Sequence, residues 1–106
     1  MKKVLFLCSQ NKRRSLTAEK IFNEVNELEV RSAGTETNSR IKVTAGLLGW
    51  ADIIFCMDKK HVRRIKDKYY DIVIHKQIIC LNISDYYHYM DKLLIEVLES
   101  SVLGYL

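Results

Sequence analysis

Apolar residues fall along this 106-residue chain in short runs separated by amphipathic stretches, and that alternation predicts strands and helices in turn. Val4-Leu5-Phe6-Leu7 is unbroken and apolar, the pattern of a strand covered on both faces. Ser15 to Val25 then places Ala18, Ile21, Phe22 and Val25 at helical spacing for a core-facing stripe. Leu28 to Ser32 reads as a second strand ending at Gly34, and Thr44 to Leu48 as a short helical turn interrupted by Gly49 and Trp50. A third strand follows over Asp52 to Met57, then a helix over Lys59 to Lys68 that packs through Val62 and Ile65. Ile78 to Leu81 is a fourth strand, and Lys92 to Val102 a last helix burying Leu94, Val97 and Leu98. Repeated strand-helix units predict an α/β three-layer sandwich, a four-stranded parallel sheet with helices on both faces. The length and the 48% apolar content suit a single domain over residues 1–106.

Charge narrows the class of partner without naming one. The formal net charge of +4 suits a phosphorylated or otherwise acidic partner. Lys59, Lys60, Arg63, Arg64, Lys66 and Lys68 form the densest basic segment, read as a solvated helix face behind an Asp58 cap. No nucleic-acid motif accompanies it, so no nucleic-acid partner is expected. The three cysteines, Cys8, Cys56 and Cys80, show neither close pairing in sequence nor metal-ligand spacing, which argues against a disulfide framework. His61, His75 and His88 are scattered, and no metal or other cofactor is expected. The apolar stretch after Lys3 is too short for a secretory signal and no membrane span is evident, so a cytoplasmic location and no membrane partner are expected.

Chemistry concentrates in Cys8-Ser9-Gln10-Asn11-Lys12-Arg13-Arg14-Ser15, directly after the first strand. A strand ending in cysteine, five residues, and then Arg-Ser opening a helix suit a phosphate cradle. Successive backbone N–H groups bend around a tetrahedral anion, and the helix adds its positive end. Arg14 offers a planar fork for two phosphate oxygens, and Ser15 a hydroxyl close to the sulfur. A helix N-terminus, inward N–H groups and a guanidinium together favour the thiolate over the thiol, which makes Cys8 a candidate nucleophile. The other reading of Cys8 is a small apolar residue that closes a strand.

These residues resemble the low-molecular-weight protein tyrosine phosphatases, whose signature is Cys-x5-Arg-Ser near the N-terminus. The segment from Lys3 to Phe22 is similar to that family's first strand, phosphate loop and first helix, including the loop asparagine at Asn11. Arg31-Ser-Ala-Gly-Thr35 is similar to the end of its second strand, and Asp52-Ile-Ile-Phe-Cys-Met-Asp58 to its third strand and the following Met-Asp. The resemblance implies a phosphotyrosine protein phosphatase I-like fold and a metal-independent phosphomonoester hydrolase working through a phosphocysteine, on a phosphorylated protein or a small phosphomonoester. It implies Cys8 as nucleophile, Arg14 as the clamp on the phosphoryl group, and Ser9, Gln10, Asn11, Lys12, Arg13 and Ser15 as phosphate-binding residues.

Three departures bear on that reading. The family carries its general acid in an Asp-Pro pair followed by aromatics, whereas this chain has no proline. Asp85, in Ile83-Ser-Asp-Tyr-Tyr87, is the better match; Asp91 is its rival, though its place before the last helix suits an N-cap. Arg13 stands where many members have a second cysteine, so redox protection by that neighbour is not available. Between Gly34 and Asp52, where larger members insert sequence that walls the pocket, only Thr35 to Ala51 remain, and a shallow pocket is expected. Glu36 to Arg40 reads as an exposed loop, Arg40 as a surface residue within reach of an anion, and Trp50 as core packing, with a place on the pocket rim as its other reading. An arsenate reductase, a sugar phosphotransfer subunit and a phosphate-binding module without catalysis remain the alternatives. The first needs further cysteines beside Cys8, and Cys56 and Cys80 read as strand-buried.

Overall fold

The first apolar run forms strand β1 (Lys2–Cys8), with Val4 to Leu7 fully buried, in a computed structural model that describes residues 1–106. It is followed by α1 (Arg14–Phe22), β2 (Leu28–Gly34), α2 (Ala45–Trp50), β3 (Ile53–Cys56), α3 (Lys59–Val73), β4 (Gln77–Cys80) and α4 (Lys92–Val102), with a 3₁₀ turn over Leu103–Tyr105. The four strands make one sheet in the order β2-β1-β3-β4, and every pairing is parallel. The three-layer sandwich expected from the sequence is therefore the fold.

Strand period divides the core in two. Val4, Phe6 and Cys8 of β1 join Ile53 and Phe55 of β3 on one face, under Ala18 and Phe22 of α1 and Leu94, Leu98 and Val102 of α4. Leu5, Leu7, Ile54 and Cys56 point to the other face, under Leu48 of α2 and Ile65 and Val73 of α3. Phe6 lies between Phe22 and Phe55, with ring centroids 5.5 and 5.2 Å away. Cutting such a ring back to alanine removes about 3 to 5 kcal/mol of stability. Cys8 lies two residues further along the same side of the same strand, so the packing that fixes Phe6 also fixes the cysteine backbone.

Several local expectations are corrected. Helix α1 stops at Phe22, and Val25 lies beyond it, exposed. Helix α2 continues through Gly49 and Trp50, and Trp50 is half-buried at the edge of the second core, with the Arg31 guanidinium 4.3 Å above its ring. Helix α3 runs five residues past Lys68 to Val73, with a kink at Tyr69 where φ is −128° and ψ 36°. The polar Asp67 to Asp71 stretch masks its apolar stripe, which Val73 resumes by packing under the sheet. Ile21 and Val97 are partly rather than fully buried. Cys80 is half-exposed, and it sits opposite Cys56 in the β3–β4 register; both are free thiols.

Because β2 lies on one side of β1 and β3 on the other, the loops leaving β1 and β3 lead to helices on opposite faces. The crevice of an open α/β sheet lies at such a reversal, outside the carboxyl ends of the strands. The Cys8–Ser15 segment occupies that position.

Candidate active site

The loop after β1 is tied from outside through its carbonyls. Cys8 O accepts from Thr35 N at 3.0 Å, Ser9 O from Glu36 N at 2.9 Å, and Gln10 O from Arg40 N at 2.9 Å. Asn11 O accepts from Arg40 Nε at 3.1 Å. Segment 35–40 is thus a strap along the back of the loop, and Arg40 is part of it rather than a bystander on the surface. With the carbonyls held outward, the N–H groups of Ser9, Gln10, Asn11, Lys12 and Arg13 donate to no protein atom. A run of such amides is an anion-binding concavity. Gly34 permits the arrangement: a Cβ there would lie 2.6 Å from Ser9 O and closer still to Ser39 Oγ, which itself donates to Ser9 O at 3.0 Å.

Asn11 sets the bend. Its φ of 59° is in the left-handed region, which asparagine tolerates better than most residues. Its fully buried side chain donates from Nδ2 to Ser15 Oγ at 2.7 Å and to Ser32 Oγ at 2.8 Å, while Ser32 donates onward to Glu19. Ser15 Oγ accepts from Asn11, so its own proton is directed to the acceptors left to it. Cys8 Sγ lies at 2.9 Å and Ala33 O at 3.5 Å. Ser15 Oγ thus has its one proton for either the sulfur or Ala33 O, and a proton given to the sulfur suits a thiolate acceptor.

Arg14 opens α1 and is buried. Its Nη1 donates to Ile83 O at 2.7 Å and lies 3.6 Å from Asp58 Oδ2. Nε and Nη2 have no protein partner, so one side of the guanidinium fork faces the cavity that Arg14 lines. Asp58 occupies the N-cap position of α3 without a side-chain cap bond; its carboxylate is turned to Arg14 instead, correcting its expected capping role.

His61, one turn into α3, is fully buried and pairs through Nε2 with Ser9 Oγ at 3.0 Å. Burial, with help from the nearby Arg14 charge, lowers its pKa to about 4, so the ring is neutral at ordinary pH. Its Nδ1 has no partner.

The chain returns to the loop after β4. Leu81 N donates to Cys56 O and Ile83 N to Met57 O, each at 2.8 Å, which draws this segment across the end of β3 and brings Ile83 O beneath Arg14. Asp85 follows two residues later and lines the same open cavity of about 570 Å³ as Cys8, Ser9, Gln10, Lys12, Arg13 and Arg14. Asn11 and Ser15 lie buried behind that wall. Asp91 is elsewhere: it caps α4, accepting from Leu93 N at 2.9 Å. No aromatic side chain lines the cavity; Tyr86 is 79% exposed and packs edge-on to Tyr87.

Asp58, His61, Ser32, Glu19 and the strap were not singled out as site residues from sequence alone. For Asp58 a signal existed in the Met-Asp after the third strand. His61 gave none, because its contact with Ser9 spans 52 residues.

An α/β sandwich with a cysteine at the end of β1 and a run of unpartnered amides leading into a helix is the arrangement that the sequence resemblance implied. Comparison with known proteins bears on the particular family. Residues 3–47 match the model of the family described as low molecular weight phosphotyrosine protein phosphatase. No curated protein sequence matches the chain. Among solved structures, the tyrosine phosphatase Wzb from Escherichia coli K30 superposes with a TM-score of 0.78 at 16% identity, covering 98% of this chain and 95% of that one. The low molecular weight protein tyrosine phosphatase SP-PTP from Streptococcus pyogenes gives 0.74 at 18%, covering 94% and 90%. The arginine phosphatase YwlE from Geobacillus stearothermophilus gives 0.73 at 16%, covering 94% and 85%. The chain thus resembles the low-molecular-weight phosphatase family in sequence over its N-terminal part and shares its fold over nearly its whole length.

Proposed function

We propose that the chain is one phosphatase-like domain that hydrolyses phosphomonoesters, as the protein tyrosine phosphatases do, through a phosphocysteine and without a metal. The run of unpartnered amides beside Cys8 and Arg14 carries this reading. Cys8 Sγ attacks phosphorus in line, and the bond from phosphorus to the leaving oxygen breaks. The loop N–H groups and the Nε/Nη2 side of Arg14 stabilise the equatorial oxygens of the loose transition state. Asp85, protonated, gives its proton to the leaving alkoxide or phenoxide. As a carboxylate it then takes a proton from water as that oxygen attacks phosphorus; the S–P bond breaks, inorganic phosphate leaves, and Ser15 stabilises the departing thiolate. The shared cavity favours Asp85 over Asp91, whose side chain is engaged as a helix cap.

An arsenate reductase needs a second thiol to resolve its intermediate. Cys56 faces the opposite side of the sheet from Cys8, and burial raises its pKa to about 12, so it is no such partner. Hydrolysis of an aryl phosphate tests the proposal. Turnover is expected to vanish in Cys8→Ser, to fall steeply in Asp85→Ala, and to stay near wild type in Asp91→Ala. Tight phosphate binding with no turnover in the wild type would show a binding module instead, and turnover that survives Cys8→Ser would reject cysteine chemistry.

A further inference from the structure

The cavity holds more positive charge than one phosphoryl group uses. Arg14 is committed to the phosphoryl oxygens and is backed by Asp58. Lys12 and Arg13 on the loop and Lys60 on α3 line the same cavity, are exposed, and form no ion pair. Two acids face them. Glu36 is neutralised by Arg64 at 2.9 Å, and Asp85 carries no charge in the protonated form that delivers a proton to the leaving group. In the reactive state Lys12, Arg13 and Lys60 therefore have no carboxylate partner, and the negative charge left in the cavity is that of the Cys8 thiolate and the bound ester. The wall also lacks the aromatic side chains that would grip a ring.

We infer that the preferred substrate carries a second anionic group beside its scissile phosphomonoester, and that Lys12, Arg13 and Lys60 bind this second group. The inference rests on the phosphatase reading for which ester is cleaved, but not for the charge that surrounds it. The second anion is a phosphate on a small molecule or a carboxylate beside a phosphorylated side chain, since both present acceptor oxygens to ammonium and guanidinium donors. Paired unlike charges within such a cleft also raise the encounter rate.

Matched pairs separate these sources. For a small molecule, propane-1,3-diyl bisphosphate is compared with 3-hydroxypropyl phosphate; for a peptide, a glutamate-flanked phosphotyrosine peptide with its alanine-flanked counterpart. At least one pair is expected to show kcat/KM about tenfold higher for the more anionic member, and the pair that does so names the source. That ratio is expected to fall several-fold in Lys60→Gln and in Arg13→Gln, while Arg63→Gln, on the same helix but outside the cavity, keeps it. Calorimetric binding of propane-1,3-bisphosphonate against propylphosphonate, and of glutamate- against alanine-flanked peptides bearing a phosphonate analogue of phosphotyrosine, asks the same question without turnover. If no ester is hydrolysed but the more anionic ligand of either pair binds about tenfold more tightly, the phosphatase reading fails and this one stands. Equal kcat/KM and equal affinity within both pairs, or a preference lost equally in Arg63→Gln, overturn it.

Discussion

Asp58 and Arg14 meet at 3.6 Å between a half-exposed carboxylate and a buried guanidinium, 44 residues apart in the chain and at the starts of the helices that follow neighbouring strands. The contact falls on Nη1, the nitrogen already bonded to Ile83 O. Two anchors on one nitrogen fix the plane of the fork and leave its other edge for a ligand.

Asp58→Asn is expected to keep the fold and lose the alignment. A half-exposed ion pair contributes about 0 to 1 kcal/mol, so the melting temperature should move little. Misalignment of a clamp by a fraction of an ångström lowers kcat/KM roughly 10- to 100-fold. Steady-state kinetics beside a thermal melt checks both, and unchanged kinetics would remove Asp58 from the site.

Ser15→Ala removes the hydroxyl 2.9 Å from Cys8 Sγ. A hydrogen bond to a charged group contributes about 1.5 to 3 kcal/mol, which corresponds to roughly 10- to 150-fold in rate. The loss should fall on hydrolysis of the phosphocysteine, where the thiolate departs. Stopped-flow mixing with an aryl phosphate is expected to show a larger burst followed by slower turnover; an unaltered burst with slower first-step kinetics would move the role of Ser15 to the attack.

Gly34→Ala tests the strap. The added methyl meets Ser9 O at 2.6 Å, so either the loop or Ser39 must shift. Overpacking of this kind destabilises by about 1 to 3 kcal/mol. Inhibition by inorganic phosphate should weaken as well, because the displaced carbonyl belongs to the cradle. Urea unfolding and a phosphate titration read the two effects, and a variant with wild-type phosphate affinity would show the strap to be dispensable.

His61 makes stability depend on pH in a defined direction. Its folded pKa of about 4 lies below the value of 6.5 expected when the chain is unfolded, so between those values the unfolded chain binds the extra proton. The neutral ring thus favours the fold above about pH 6.5, and the advantage is lost as pH falls toward 4, by at most about 3 kcal/mol. Denaturant midpoints at pH 7 and pH 4.5 should converge in His61→Asn relative to the wild type. Equal slopes in the two proteins would show that His61 is not responsible.

Much of the frame was legible in the residues. The unbroken apolar β1 and the spacing of Leu94 and Leu98 on α4 depend on local period, and α4 was placed at its observed bounds. The Cys8-to-Ser15 loop was legible because its chemistry is contiguous. What escaped notice was long-range. Arg40 reaches Asn11 across 29 residues, and His61 reaches Ser9 across 52; neither has a spacing that pattern can detect. Asp58 was seen but given the wrong partner, since its position before a helix suits a cap equally well. Trp50 reads as core packing from the sequence, and the Arg31 guanidinium over its ring shows how an aromatic at a sheet margin escapes full burial.

The strap behind residues 8–11 also decides how the cleaved group leaves. Because the backbone dipoles are held in place by the protein itself, a tetrahedral oxyanion finds the same welcome whether or not it still carries its organic half. On the proposed chemistry orthophosphate is a competitor as well as a product, and throughput is expected to fall as it accumulates, a brake that needs no additional regulatory site.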